Sequence, residues 1–472
     1  MDEYLNITVY SVIYLVAIVV IFIYTIKHQL DVLCVGVVCY VAYTMYCFFG
    51  YGISGQYRPQ LSTELYLLVY MQLVIIMLCV VFARYKDTPL KCKVITVKTT
   101  DVYQEKKVTN AFYVYNTIIV LFAFINVLIV TPAGFADGKE TVWEKTNILY
   151  IISLYGAYPS FAYGIHKKIK TIWIPSLLVE LTIFFAGSRA FATTLIILFL
   201  CERGTALYTQ KNGNLKIYLI GAGAIVFLLF YRMIDQAIMQ GDIGKVFQVI
   251  SDPQAWLKAL EFNEPRVIIA NYDYVITSGI CLPVGDILYR IIDIIPGLTS
   301  LIPIKLVYPE YFSDWLMKEV NGSAGVGGTF WGESYAMFGV IGVIAFTFIW
   351  MWLLRICNKH LNYPKPYSSF IIAIGIYLAW YINRLDFNRV GQSIKIMFLC
   401  FLMWTVIYVC LGGELNVNKK IKIPFRRETC CSRLLDIILN KLETTISNIG
   451  GKFQPMYKKM WNIIIKIKKK RS

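Results

Sequence analysis

Charged residues are scarce in this sequence: Asp, Glu, Lys and Arg make up 16% of its 472 residues, whereas 57% of the residues are hydrophobic. Soluble domains carry roughly 25% charged residues. The mean hydropathy is +0.58, and the apolar residues come in runs of about twenty, the length that crosses a bilayer. The sequence therefore indicates an all-α, polytopic membrane bundle and excludes a series of ordinary soluble domains.

The sequence also lacks the motifs of several enzyme classes. It contains no Gly-x-x-x-x-Gly-Lys-Ser/Thr phosphate loop, His-Glu-x-x-His zinc motif, Gly-x-Ser-x-Gly nucleophile turn or Gly-x-Gly-x-x-Gly dinucleotide motif. ATP hydrolysis and nicotinamide chemistry are therefore disfavoured. The twelve cysteines form no Cys-x-x-Cys pair, and no Asp-x-Asp or Glu-x-Asp pair that could hold a metal-bound diphosphate occurs in the predicted external loops. We expect no metal and no cofactor.

The apolar runs predict eleven transmembrane helices. They are placed at 4–26, 30–52, 64–83, 111–131, 147–165, 171–187, 190–207, 217–235, 331–353, 367–383 and 390–411. One long external loop, 236–330, separates the eighth and ninth spans and is expected to fold against the bundle as short helices. Prolines interrupt its segment 283–305, which predicts re-entrant or interfacial helices. The bundle with this loop covers 1–411, and 412–472 form a cytoplasmic tail.

The basic residues predict the orientation of the chain. With the N-terminus outside and the C-terminus in the cytoplasm, 32 of the 46 Lys and Arg residues fall inside, as the positive-inside rule requires. The net charge of +17 is therefore a topology signal first, and no nucleic-acid partner is expected. The basic amphipathic tail is expected to lie on anionic membrane lipids; the alternative is a docking site for a cytoplasmic partner.

A tight outer turn carries the first candidate functional residue. Arg189 follows two small residues, Gly187 and Ser188, between two closely spaced spans. A charged side chain at the membrane end of a span costs free energy, so its presence there indicates a function. A guanidinium beside a helix N-terminus can bind a phosphate group. The alternative is a helical hairpin in which Arg189 reaches up to lipid headgroups.

The outer turn 383–389 carries two further arginines, Arg384 and Arg389. Together they predict a charged cradle for a diphosphate, with Asp386 orienting one of them. The alternative is that Asp386 forms an ordinary surface salt bridge, worth under about 1 kcal/mol.

A glycine-rich stretch leads into the ninth span and places Glu333 about one turn inside the membrane. A membrane-embedded carboxylate beside glycines that permit close backbone approach indicates a site; the alternative is helix packing or a hinge. Arg266 and Arg290 of the external loop are weaker candidates. Glu180, within a predicted span, is either a proton or ion site or a paired or protonated carboxyl.

Several of these features together resemble one family. They are Gly-Ser-Arg at 187–189, the long external loop, the run Gly-Thr-x-x-Gly-Glu-x-Tyr-x-x-Phe-Gly at 328–339 and the arginine-bearing turn at 383–389. Between about 111 and 411 the chain resembles the Wzy-type polymerases of bacterial O-antigen and capsule repeat units. The resemblance implies a metal-independent glycosyltransferase of the bacterial cytoplasmic (inner) membrane. Such an enzyme moves a growing glycan from polyprenyl diphosphate to the terminal sugar hydroxyl of a lipid-linked repeat unit.

The resemblance also implies roles for the candidate residues. Arginines stabilise the departing diphosphate, with Arg189 and Arg384 as first choices and Arg389, Arg290 and Arg266 behind them. Glu333 is the candidate general base, and Arg189 shares the catalytic assignment with it. The expected partners are the polyprenyl-diphosphate-linked oligosaccharide, membrane lipids and, at the tail, a regulator of chain length.

Two alternative functions remain open. A lipid-linked oligosaccharide flippase or transporter also needs many spans and basic residues, although it would not need a long external loop. An O-antigen ligase would be expected to carry an external histidine. The three histidines fall at predicted cytoplasmic ends of spans, at positions 28, 166 and 360, which favours the polymerase.

Overall fold

The structure, a computed structural model, describes most of the chain in separate segments. They are residues 9–26, 31–49, 51–53, 56–58, 61–86, 99–136, 139–185, 188–208, 223, 242–254, 264–294, 310–319, 329–362 and 365–413. The predicted span 217–235 lies outside these segments except for residue 223. Apart from residues 412 and 413, the tail 412–472 lies outside them as well. Both stay predictions.

The described chain is almost entirely helical, which confirms the predicted fold class for these residues. The helices are α1 (Val9–Ile26), α2 (Val32–Thr44), α3 (Tyr46–Phe49), α4 (Thr63–Lys86), α5 (Thr99–Ala136), α6 (Lys139–Lys145), α7 (Ile148–Lys167), α8 (Lys170–Phe185), α9 (Arg189–Tyr208), α10 (Ile243–Ser251), α11 (Glu264–Ser278), α12 (Val284–Asp293), α13 (Phe312–Glu319), α14 (Phe330–Asn362), α15 (Ser368–Tyr381) and α16 (Phe387–Cys410). One short antiparallel hairpin, β1 (Tyr51–Ile53) with β2 (Gln56–Arg58), pairs Gly52 with Tyr57.

Five of the described helices are long and apolar enough to cross a membrane. Their candidate spans are Thr63–Ala83, Glu105–Thr131, Ile148–Lys167, Phe330–Leu361 and Phe387–Cys410. Shorter apolar helices cover Val9–Ile21, Val32–Phe48, Ala190–Glu202 and Ser368–Tyr381. These helices define an α-helical membrane protein, whereas the eleven crossings and the orientation of the termini remain predictions.

Helix ends depart from the predicted boundaries where local chemistry outweighs hydropathy. Asp31 caps α2 by accepting a hydrogen bond from the backbone N–H of Cys34 at 2.9 Å, so the helix starts after it. The apolar run continues to residue 52, but α2 ends at Thr44 and the chain turns through α3 into β1. α5 starts at Thr99, twelve residues before the predicted span at 111, because hydropathy marks the bilayer while polar residues can extend the same helix beyond it.

Close helix packing holds the bundle together. α7 packs against α5, α8 and α9, and α15 packs against α2, α7 and α14. A Cβ at Gly164 of α7 would lie 2.7 Å from the backbone nitrogen of Trp173, so glycine permits the tight α7–α8 contact. A buried polar chain connects α2, α4 and α14, since Tyr40 donates to Gln72 at 3.1 Å and Gln72 donates to Thr347 at 3.2 Å.

The described part of 236–330 consists mainly of short helices, of which α11, α12 and α13 contact the bundle. α11 contacts β1, α2, α4 and α14. The backbone N–H of Ser62, just before α4, donates to Asp273 of α11 at 3.1 Å. α11 therefore packs at the end where α4 and α14 begin. Residues 295–305 lie outside the described part of the structure, so the re-entrant geometry and the external position of this region stay predictions.

Candidate functional site

The turn 382–386 between α15 and α16 organises the candidate site. Asp386 has an extended backbone, and its carboxylate accepts a hydrogen bond from the backbone N–H of Arg389 at 2.9 Å, which caps α16. The first turn of a helix has backbone N–H groups without helical partners and carries the positive end of the helix dipole. Asn383 of the same turn accepts a hydrogen bond from the indole of Trp331 in α14 at 3.1 Å. The starts of α14 and α16 are thereby held side by side.

Glu333, in the first turn of α14, is fully buried and connects three helices. One carboxylate oxygen accepts a hydrogen bond from the backbone N–H of Phe387, the first residue of α16, at 2.6 Å. The other accepts a hydrogen bond from the guanidinium of Arg290 in α12. A carboxylate so placed satisfies a free N–H at a helix start and pairs with a buried cation at the same time.

Arg290, a candidate of the predicted external loop, lies in the helix α12 and is only 2% exposed. Besides its ion pair with Glu333, it donates to the backbone carbonyl of Glu310 at 2.8 Å. Its Nε has no hydrogen-bond partner in the described part of the chain. The guanidinium is thus fixed at two of its three nitrogens, and its Nε–H has no partner among the described residues.

Asp386 is also fully buried, which excludes the alternative of a surface salt bridge. Its second oxygen accepts a hydrogen bond from the hydroxyl of Ser313 at 2.9 Å, and the Arg389 Nε lies 3.7 Å away. Arg389 itself, 38% exposed, donates to Asp314 at 2.8 Å and lies 4.7 Å above the ring of Tyr311. Arg389 therefore presents its guanidinium at the edge of a buried network. We refer to Arg290, Glu333, Asp386, Arg389 and Asp314 as the arginine–carboxylate cluster.

A second set of contacts fixes α12 against α16. Asp293 accepts hydrogen bonds from Gln392 at 2.9 Å and pairs with Lys395 at 2.7 Å. Counting this pair with the cluster, three cations face four carboxylates. Both guanidinium groups of the cluster already pair with a carboxylate, so an anion that takes the place of such a partner must displace a carboxylate. Asp314 is the carboxylate most open to displacement, because it is 40% exposed whereas Glu333 and Asp386 are buried.

Arg384 contacts a different carboxylate. Its Nε lies 2.6 Å from Glu264, the first residue of α11, and the two side chains are 28% and 30% exposed. Burial acts to lower the pKa of Arg384, but Glu264 together with Tyr43, Tyr381 and Tyr377 raises it above its usual value. Arg266, two residues further along α11, is partly buried. Of the predicted arginines, the structure thus brings Arg290 and Arg389 to Glu333 and Asp386, and pairs Arg384 with Glu264.

Arg189 is the first residue of α9. Its side chain and Gly187 lie outside the described part of the structure, so the assignment of Arg189 to the site stays a prediction. α9 packs against α7, α8 and α15.

A break in α14 separates the segment that carries Glu333 from the rest of the span. Phe338 and Gly339 have non-helical backbone angles, and Gly339 adopts φ +60° and ψ −149°. This conformation is open essentially to glycine alone. One turn later, a Cβ at Gly342 would lie 2.3 Å from the carbonyl oxygen of Ser334. Gly339, the last residue of the run 328–339, therefore marks the bend of α14, six residues after Glu333.

We expect Gly339→Ala to lower the free energy of unfolding by about 1–3 kcal/mol, because alanine is strained in this backbone conformation. A Cβ there meets no atom within 4 Å, so the loss comes from the backbone and not from a clash. Thermal unfolding of the purified protein measures it. Gly285→Ala is the control, since a Cβ there also meets no atom within 4 Å and its φ is not positive; equal stability of both variants would contradict the strained bend.

Comparison of the chain with protein-family models, with curated proteins and with solved structures finds no match. The class that the fold defines is that of an α-helical membrane protein with a partly buried arginine–carboxylate cluster at one end of its bundle.

Proposed function

We propose that this protein is a polysaccharide polymerase, a glycosyltransferase that joins polyprenyl-diphosphate-linked oligosaccharide repeat units on the outer face of the bacterial cytoplasmic membrane. In this proposal the N-terminus is outside, the C-terminus is cytoplasmic, and the tail contacts membrane lipids or a chain-length regulator. The observation that carries the proposal is the arginine–carboxylate cluster, in which Arg290 and Arg389 share one end of the bundle with Glu333.

The proposed reaction depends mainly on positively charged hydrogen-bond donors that stabilise the departing diphosphate. The acceptor hydroxyl oxygen forms a bond to the anomeric carbon of the donor glycan while the bond from that carbon to the diphosphate oxygen breaks. The diphosphate leaves with the bonding electrons, so donors aimed at its oxygens lower the barrier. Arg389 and Arg384 are partly exposed and are proposed to bind the diphosphate, with Arg189 and Arg266 as further candidates. Asp314 and Glu264 hold the two guanidinium groups until the diphosphate takes their place.

The hydroxyl proton passes to a carboxylate or to a diphosphate oxygen. Both oxygens of Glu333 accept hydrogen bonds, from Arg290 and from the backbone of Phe387. A general-base role for Glu333 therefore requires that one of these hydrogen bonds opens during the reaction. With both in place, Glu333 positions Arg290 and the start of α16.

The test is the length distribution of surface polysaccharide in cells that carry the chain, its Arg189→Ala variant or a deletion, with lipid-linked intermediates extracted alongside. The proposal predicts that the deletion strain makes single repeat units only, accessible outside the cell. It also predicts that Arg189→Ala matches the deletion at a normal protein level. Lipid-linked units that accumulate on the cytoplasmic face instead would make the protein a flippase.

One observation favours that second candidate, a lipid-linked oligosaccharide transporter. Glu180 of α8 is 1% exposed, and neither carboxylate oxygen has a hydrogen-bond partner among the described residues. A carboxyl buried in a membrane helix without a partner is the arrangement of a proton or ion site.

Replacing Glu180 by leucine separates the two candidates. If the chain is a polymerase, we expect Glu180→Leu to leave the length of the polysaccharide unchanged. We also expect it to raise the free energy of unfolding by about 1–3 kcal/mol, because it removes a buried polar group without a partner. Thermal unfolding and gel analysis of the polysaccharide measure the two effects. Glu202→Leu is the matched control, because the buried carboxylate of Glu202 pairs with His166 at 3.0 Å and its loss is expected to destabilise. Loss of surface polysaccharide in Glu180→Leu would favour the transporter.

A further inference from the structure

Asn388, the second residue of α16, is 2% exposed, and neither its side-chain oxygen nor its side-chain nitrogen has a hydrogen-bond partner among the described residues. An amide can donate two hydrogen bonds and accept two. Burying such a group without partners destabilises a protein. Its neighbours in sequence, Asp386, Phe387 and Arg389, each have partners in the cluster.

The helical spacing of α16 shows where Asn388 lies. Residues three, four and seven positions further along share its face of the helix. These are Gly391, which meets Ile294 at 3.6 Å when given a Cβ, and Gln392 and Lys395, which contact Asp293. Asn388 is therefore on the face that α16 turns toward α12.

A second buried group without a partner belongs to the same pair of helices. The Nε of Arg290 lies one turn before Asp293 in α12 and has a free hydrogen to donate. Arg290 and the start of α16 are connected through Glu333. The Arg290 Nε and the Asn388 amide, both without partners among the described residues, thus belong to the facing parts of α12 and α16.

The chemistry of the two groups indicates the kind of ligand. Phosphate oxygens only accept hydrogen bonds, so they could satisfy the Arg290 Nε and the Asn388 amide nitrogen but not the Asn388 oxygen. That oxygen needs a donor, such as a hydroxyl or an amide N–H. A sugar ring carries hydroxyl or acylamino groups that both donate and accept.

We propose that Asn388 is a specificity-determining residue that binds a hydroxyl or acylamino group of the sugar attached to the diphosphate, beside the arginines that bind the diphosphate itself. The inference rests on the proposed polymerase function and names the part of the substrate that this face of α16 contacts. In the free protein the amide is kept unsatisfied, and the substrate supplies its partners.

The experiment compares Asn388→Leu with Asn126→Leu in the full-length protein. Asn126 of α5 is a matched control, because it too is fully buried with both side-chain polar atoms unpartnered, and no described contact connects it with the cluster. The probe is lipid-linked repeat units extracted from the deletion strain. Thermal unfolding is measured with and without the probe, and KM and kcat are measured for polymer formation in proteoliposomes.

Both leucine variants are expected to unfold about 1–3 °C above the wild type without the probe, because each removes an unsatisfied buried amide. Asn388→Leu is expected to lose most of the stabilisation by the probe and to raise KM about tenfold, whereas Asn126→Leu keeps both. Asn388→Ser, which retains a donor and an acceptor, is expected to recover part of the affinity. This split between gained stability and lost affinity is not expected of a structural residue.

Two results overturn the inference alone. One is an Asn388→Leu protein that is less stable than the wild type without the probe, which would show that the amide has a structural partner. The other is an Asn388→Leu protein that polymerises the probe with unchanged KM. A wild-type protein that neither responds to the probe nor polymerises it overturns the proposed function, and the inference with it.

Discussion

Arg290→Met is expected to lower the free energy of unfolding by about 3–5 kcal/mol, because it leaves the fully buried carboxylate of Glu333 without its cation. Polymer formation is expected to be lost as well, since Glu333 also holds the start of α16 through Phe387. Chemical denaturation of the purified protein and the polysaccharide assay measure the two effects. Glu333→Leu is expected to destabilise similarly, because it leaves the cation unpaired.

The double variant Arg290→Met, Glu333→Leu separates stability from activity. Replacing both members of a buried ion pair by apolar residues of similar size is often neutral or stabilising. We therefore expect the double variant to regain most of the stability lost in either single variant and to remain inactive. Stability losses that simply add up in the double variant would contradict the pairing, and a stable, active double variant would contradict a role for the pair in catalysis.

Arg389→Ala is expected to lower kcat about 10²–10³-fold, the usual effect of removing one donor to charge that develops in a transition state. Stability is expected to change by less than about 1 kcal/mol, because the side chain is 38% exposed and its ion pair with Asp314 is equally accessible to water. Initial rates with extracted lipid-linked repeat units measure the change. Lys318→Ala is the matched control, since it removes an exposed cation that pairs with Glu310 at 2.5 Å, and is expected to leave kcat unchanged.

Asp314→Asn tests the role of Arg389 by removing its carboxylate partner instead of the arginine itself. It frees the guanidinium of Arg389 from its carboxylate partner while retaining the arginine. If Asp314 occupies the place that the diphosphate takes, its neutralisation is expected to lower KM and to retain kcat. An unchanged or higher KM would show that Asp314 does not compete with the substrate.

The amino-acid sequence predicts the helical membrane fold because apolar runs of bilayer length occur in few other structures. It also points to Glu333, since a carboxylate at the start of an apolar run is unusual. The cap at Asp386 had a local signal, an aspartate directly before a helical run. The burial of Asp386 had no local sequence signal, because it involves a contact with Ser313, 73 residues earlier in the chain.

The pairing of Arg290 with Glu333 could not be predicted from the sequence. The two residues are 43 positions apart, and only the packing of α12 against α16 and of α16 against α14 brings them together. The sequence groups Arg384 with Arg389 because they share one turn. The structure turns Arg384 toward Glu264 of α11 instead, because the end of α15 and the start of α16 have different neighbours. The sequence does not single out Asn388, because a neutral amide carries no charge and its burial depends on the packing of α16 against α12.

The most direct test of the proposed polymerase is synthesis by the purified protein. The full-length chain is reconstituted into proteoliposomes with lipid-linked repeat units extracted from the deletion strain, and the products are separated by length after their release from the lipid. The account predicts a ladder of polymers longer than one repeat unit, with release of polyprenyl diphosphate and without added nucleotide, and no ladder with Arg290→Met, Glu333→Leu. Single repeat units that stay unjoined in the presence of the folded wild-type chain would contradict it.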